Sequence, residues 1–394
     1  MTHHLTLIVP FFLAGVLLAS GDVAPGMNRF AASAYRQLTQ DDHNLILSPF
    51  SISTALSMLL DGARGHTAAG IAATLDQPQS GPAYHAAVAA LAAELAKQAN
   101  LNGNQLAIAN GLWVQPGFPL ESDFERTVRT LYQAPLTLLD FHANAEQARQ
   151  EINSWTAEHT NGRIAELFAR GSIDAATRLV LTSAIYFLGK WRLPFDPKNT
   201  RAEPFQLSGG RTVDAKFMHL KADFLYGETP SAQILEMKYQ GTPLAFDILL
   251  PKANGGLAEL EQSIKAETLS GWFGALTSHK VETAIPKFRA ESAFSLRDTL
   301  SRMGMADAFG TTADFSGIDG RRDLLVANVV HKAFVEVSEE GTEAAAATGI
   351  TMRPMAMRRQ EQTVFRADHP FAFFIRDTSS GAILFEGRLV QPAS

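Results

Sequence analysis

The 394-residue chain contains no cysteine. That removes disulfides, thiolate nucleophiles and cysteine-ligated metal sites together. A domain of this length can bury a sufficient core without cross-links. Strong charge of one sign is also missing. The 34 basic and 40 acidic side chains leave a formal charge of −6, which gives no electrostatic reason for nucleic acid or an anionic membrane as partner. No Gly/Ser/Pro-rich linker and no long charge run divides the chain, so one large domain is expected despite the length. There is no Gly-x-Ser-x-Gly elbow, no His-Glu-x-x-His and no phosphate-binding glycine loop. The chain is therefore expected not to be an enzyme, and to need no cofactor or metal.

Long apolar runs are scarce too. Leu5 to Ala19 is an uncharged stretch of 15 residues, followed by Ser20-Gly21. It is short for a membrane span, which takes about 20 residues. With small residues at its end it reads as a secretory signal peptide over residues 1–21, leaving 22–394 as the mature chain. Secretion to an extracellular or periplasmic space follows, without stable membrane association. The leader has His3 and His4 but no Lys or Arg, and Pro10 interrupts it. An uncleaved anchor and a buried native helix are the alternatives. A lipid-modified cysteine is excluded.

Of the eleven histidines, most sit in unrelated contexts and read as solvated or core residues. His331 differs, because it lies inside an apolar strand pattern from Leu324 to Val337 and needs a hydrogen-bond partner if buried.

What the chain does have is the stretch Glu339-Glu340-Gly341-Thr342-Glu343-Ala344-Ala345-Ala346-Ala347-Thr348-Gly349. In isolation it could be a surface helix with an acidic first turn, an alanine run and a glycine stop. At period two, however, Thr342, Ala344, Ala346, Thr348, Ile350 and Met352 fall on one face. Glu343 and Arg353 fall on the other, so all charge between 342 and 353 is one-sided, as in a strand with one buried face. Alanine and glycine are weak strand formers. Such a segment can occupy a sheet without being committed to it, and its small leading side chains can pass between parted strands at little steric cost.

This stretch, with Phe365-Arg366-Ala367-Asp368-His369-Pro370-Phe371 downstream, closely resembles the hinge, reactive loop and C-terminal signature of the serpins. Further matches follow in order: Asn44 to Ile52 with Asp61 to Thr67, Ala109 to Gln115 as the start of a central strand, and Ile152-Asn153-Ser154-Trp155 with Thr160 to Ile164. Leu179 to Phe187 then reads as a buried strand leading to the "breach" tryptophan Trp191, and His331-Lys332-Ala333 stands ten residues before Gly341.

The resemblance implies an α+β serpin fold of three β-sheets and eight or nine helices, with an exposed reactive centre loop at about 339–364. It implies an inhibitor that works as a suicide substrate and forms a covalent acyl-enzyme with a serine protease. The hinge would be Glu340 to Thr348, and the bait Met355-Ala356, since Met355 lies fourteen positions after Gly341. Methionine fits the apolar pockets of elastase- and chymotrypsin-like enzymes. Arg353, Arg358 and Arg359 are rival baits for trypsin-like ones. A "shutter" of Ser48, Ser51 and residue 183 would surround His331. Ser183 stands where the family usually has asparagine, and its shorter reach leaves the firmness of that hold open. A non-inhibitory carrier, chaperone or storage protein is the alternative, though the small residues at 342, 344, 346 and 348 follow the inhibitory pattern. Asp76 to Asn104 holds one Lys, Lys97, and no Arg, which argues against heparin-type activation. A monomer is expected.

Overall fold

The computed structural model describes residues 23–77, 81–342 and 363–392. Among the described residues, fifteen strands, numbered in chain order, form two hydrogen-bonded sheets. The six-stranded sheet runs β10 (Phe288–Ser295), β11 (Val326–Val337), β12 (Gly341–Thr342), β4 (Leu179–Lys190), β2 (Gln105–Val114), β3 (Leu136–Leu138). The nine-stranded sheet runs β1 (Leu45–Leu47), β15 (Ile383–Leu389), β14 (Phe371–Asp377), β8 (Leu244–Pro251), β7 (Ala232–Lys238), β6 (Thr212–Glu228), β9 (Thr277–Pro286), β13 (Thr363–Arg366), with β5 (Arg201–Gln206) branching from β6. The seventeen residues of β6 serve three partners in turn: β5 up to Phe217, β9 from Phe217 to Tyr226, and β7 from Leu225 to Glu228. The third sheet that the resemblance implies is thus continuous with the second through β6.

Ten α-helical segments lie among the described residues, three of them only four or five residues long. Helix Pro49–Gly62 is the central one. Pro49 is pre-set for the first helical position, and the Ser48 side chain caps the helix by accepting from the Ser51 N–H at 3.1 Å. Every residue of this helix except Asp61 is buried, so it is apolar all round rather than amphipathic. On the other face of the six-stranded sheet, helix Phe141–His159 presses Phe141, Ala148 and Ile152 onto Ala109, Trp113, Val180, Ala184 and Val330. Cover on both faces explains why β4 and β11 read as near-continuous apolar runs. Ala109 to Gln115, expected to begin a central strand, instead spans the end of one, which starts at Gln105 and stops at Val114. No helix of the described residues is long and apolar enough to cross a membrane.

Candidate functional site

β4 and β11 run parallel and pair directly from Leu179↔Val326 to Tyr186↔Phe334. Beyond that point they part. The chain leaves β11 at Val337, turns through Ser338, Glu339 and Glu340, and comes back as β12 between the separated ends. β12 is antiparallel to both neighbours: Thr342 faces Val337 on one side and Gly189 on the other, and Gly341 faces Lys190.

Several contacts hold this wedge. The Ser338 N–H and hydroxyl both donate to the Gly341 carbonyl, at 2.9 and 3.1 Å. The Trp191 indole donates to Ser338 O at 2.9 Å, and its backbone N–H to Glu340 O at 2.8 Å. Two glycines make the approach possible, because a Cβ on Gly341 would run into the Gly189 carbonyl and one on Gly189 into the Tyr239 ring. Thr342 is fully buried, its hydroxyl 2.7 Å from that of Tyr239, whose ring stacks on Trp191 at 4.8 Å. Burial raises the Tyr239 hydroxyl well above its ordinary range although Thr342 opposes the rise, so Tyr239 is a neutral partner. Glu339 is pinned by Lys287 at 2.6 Å and by the Thr200 hydroxyl at 2.8 Å. Burial pushes its carboxyl up, but Lys287, a backbone N–H and Thr200 outweigh it, and Glu339 stays below the usual range as an anion.

Halfway down the β4–β11 seam, cross-strand register aligns three polar residues: His331 on β11 faces Ser183 on β4, which faces Asn110 on β2. The hydrogen bonds around them have a single consistent direction. The Ser48 N–H donates to His331 Nε2 at 3.0 Å, so Nε2 carries no proton. In a neutral imidazole the proton is then on Nδ1, which donates to Ser183 Oγ at 3.0 Å. Ser183 donates to Ser51 Oγ at 2.9 Å, Ser51 donates to Asn110 Oδ1 at 2.8 Å, and the Asn110 amide donates back to Ser51 O at 3.0 Å. Ser48 Oγ donates outward to Leu384 O of β15 at 2.5 Å. Complete burial pushes the imidazole down to about 3, which keeps it neutral and the chain of donors intact. The network ties helix Pro49–Gly62 to the seam that any new strand would have to part.

A family profile described as "Serpin (serine protease inhibitor)" matches residues 25–392. The chain belongs to the serpin family. The leukocyte elastase inhibitor of Bos taurus is 39% identical over 374 residues, covering 92% of this chain and 98% of that one. The crystal structure of Serpin48 from the insect Tenebrio molitor matches with a TM-score of 0.85 at 33% identity, covering 94% of this chain and 98% of that one. Human thyroxine-binding globulin in complex with its hormone matches equally well, TM-score 0.85 at 29% identity over 95% of this chain and 100% of that one.

In this serpin, Ser48, Ser51, Ser183 and His331 form one network, while Trp191 belongs to the wedge, packed against Tyr239 rather than near His331. Glu340, Gly341 and Thr342 lie at or in the sheet, so the segment that begins at 339 is buried at its start rather than exposed. Glu343 to Thr348, Arg353, Met355, Ala356, Arg358 and Arg359 fall outside the described residues, as does the leader 1–21. The undescribed stretch leaves from β12 in one sheet and rejoins at Thr363, the first residue of β13 in the other. Asn110, Tyr239 and Lys287 take part in these contacts and were missed in the sequence. For Asn110 a signal existed: an amide in an otherwise apolar strand must find partners.

Proposed function

We propose that this serpin inhibits serine proteases as a suicide substrate, cut at Met355-Ala356 and trapping the enzyme as a covalent acyl-enzyme. The wedge carries the reading. β12 is the first step of a strand already begun, and the seam ahead of it holds one parallel ladder of eight residue pairs. A strand inserted antiparallel to both β4 and β11 replaces that ladder with two antiparallel ones, each somewhat stronger per residue. Thr342 to Arg353 supplies twelve residues, as many as β4 and as many as β11. At roughly 3.3 Å each they form a strand of about 40 Å, enough to carry a tethered protease along the sheet. Deformation of the protease active site there would stop deacylation.

The bait rests on Met355, which follows Pro354, a residue type that favours extended backbone. An apolar side chain there suits elastase- or chymotrypsin-like pockets, and the name of the Bos taurus relative points the same way. A single experiment tests bond and target together. Incubation with a panel of serine proteases should release a peptide running from Ala356 to Ser394, with elastase- or chymotrypsin-like enzymes trapped best in SDS-stable complexes. A released peptide beginning after Arg353, Arg358 or Arg359, with trypsin trapped best, would reassign the bait. Clean cleavage with no complex would favour the carrier reading, for which thyroxine-binding globulin shows that the fold suffices.

We further propose that the protein acts as an exported monomer, without heparin-type activation. Leu5 to Ala19 supports export, and the family match starts after it, at residue 25. N-terminal sequencing of protein recovered outside the cell should begin near Asp22. Recovery of intact Met1 or Thr2 there would contradict cleavage.

A further inference from the structure

Cross-strand register lines up a transverse row on the nine-stranded sheet. Glu236 on β7 faces Asp247 on β8, Asp247 faces Phe374 on β14, Phe374 faces Glu386 on β15, and Glu386 faces Leu47 on β1. Directly opposed residues share a sheet face. Three carboxyl groups therefore lie in one buried row, none more than 3% exposed.

The cations nearby serve two of the three. Arg376, two residues along β14 from Phe374, donates to Asp247 at 2.8 Å and to Glu236. Lys238 is 3.7 Å from Glu236. Arg388, two residues along β15 from Glu386, is turned away to Glu261 of helix Leu257–Ser263 at 3.2 Å and to the carbonyls of Thr39 and His43. Tyr35 of helix Ala24–Leu38 donates its hydroxyl to the same Glu261 at 2.9 Å. Against four carboxyls stand three cations, and the carboxyl left over is Glu386. Neither of its oxygens has a hydrogen-bond partner among the described residues. Ionising an isolated carboxyl in a dry interior costs far more than burying the neutral acid. Burial accordingly pushes Glu386 up to about 8. It also lifts Asp247 to about 7, against Arg376 and with Glu236 adding to the rise.

We propose that Glu386 is a proton-gated weak point of the native fold, neutral while the β1–β15 edge is closed and readily ionised once that edge opens. The edge bears on the seam described above. Leu47 faces Glu386, Ser48 follows Leu47 directly, and Ser48 both donates to Leu384 O and holds His331 Nε2. Opening β1 from β15 therefore releases the imidazole that locks β4 to β11. This inference rests on the fold and not on the choice of protease or bait. Its sign follows from linkage. The folded value lies above the unfolded one, so the native state keeps a proton that the opened chain gives up to water. Closure is most favoured below the ordinary glutamate range and weakens as pH rises towards about 8.

The test is urea unfolding of the full chain, comparing wild type with Glu386→Gln, which cannot ionise, and Glu386→Met, which fills the site with an apolar group. From about pH 5 to about pH 8 the unfolding constant of wild type should rise about tenfold per pH unit relative to either variant. Hydrogen exchange provides a second readout that needs no reversible unfolding. Amides of Leu45 to Ser48 should gain exchange with pH beyond the intrinsic base-catalysed increase in wild type only. Parallel pH profiles for wild type and both variants, or equal exchange at that edge, would mean that Glu386 is already solvated or ionised in the native state and would overturn the proposal.

Discussion

On the proposed mechanism, Thr342→Arg is expected to leave a substrate that no longer traps. Thr342 is not waiting outside the sheet. It is already fully buried between Val337 and Gly189, with its hydroxyl on Tyr239. An arginine there would meet a neutral Tyr239, and Glu339 of the wedge turn is already engaged by Lys287 and Thr200. The guanidinium would be forced out towards solvent, taking β12 with it and leaving the Tyr239 hydroxyl unsatisfied. Insertion would then start from an undocked hinge and have to bury the charge at its first step. Leaving a charge buried without a partner costs about 3–5 kcal/mol. Carried in the rate-limiting step, about 3 kcal/mol slows insertion by more than a hundredfold. Deacylation should win, giving full cleavage at the bait with little SDS-stable complex. Thr342→Ser keeps the hydroxyl and the size, and should trap almost as well as wild type. Full-strength complexes from Thr342→Arg would show that trapping does not require this position to enter the sheet.

The sequence reveals faces more readily than partners. The apolar run around His331 marks a strand, because side-chain alternation is local, whereas of the period-two pattern of 342–353 only Thr342 lies among the described residues. The partners of Thr342 and His331 are set by register between strands far apart in the chain, which leaves no local trace. Asn110 reaches the network only because β2 brings it opposite Ser183, and Tyr239 reaches Thr342 only because glycines at 189 and 341 let the backbones approach. The reach of Ser183 was the open question, and register answers it: direct opposition to His331 on a parallel neighbour puts a short side chain at 3.0 Å. Glu386 was invisible for a similar reason. In sequence it is one acid among many, and only the row Glu236–Asp247–Phe374–Glu386 exposes it as the acid without a cation. The number of sheets was misleading in the opposite way, since one long strand, β6, joins what the resemblance separates.

Acid should loosen the same seam through His331, with the opposite sign to Glu386. The folded imidazole is held down at about 3 by burial, against an ordinary histidine value of 6.5. Below 6.5 the unfolded chain takes up a proton that the native state refuses. The stability tied to His331 is therefore fully present above pH 6.5 and is lost progressively as pH falls towards about 3. At about 1.4 kcal/mol per unit the whole loss is about 5 kcal/mol, comparable to the entire stability of a marginal domain. Protonation would also break one bond, since a proton on Nε2 meets the Ser48 N–H head on. His331→Gln offers an acceptor and a donor but no titration. At pH 7.5 it should be less stable than wild type by about 1–3 kcal/mol, the cost of leaving a buried donor or acceptor poorly satisfied. That gap should close by about 1.4 kcal/mol per unit as pH drops below 6.5, until the variant becomes the more stable form. Chemical unfolding of both proteins across this range reads the gap directly. A gap that stays constant down to about pH 4 would mean that His331 protonates in the native state as readily as in the unfolded one. The Ser48–His331–Ser183 chain would then be open to water and could not be what keeps β4 and β11 together.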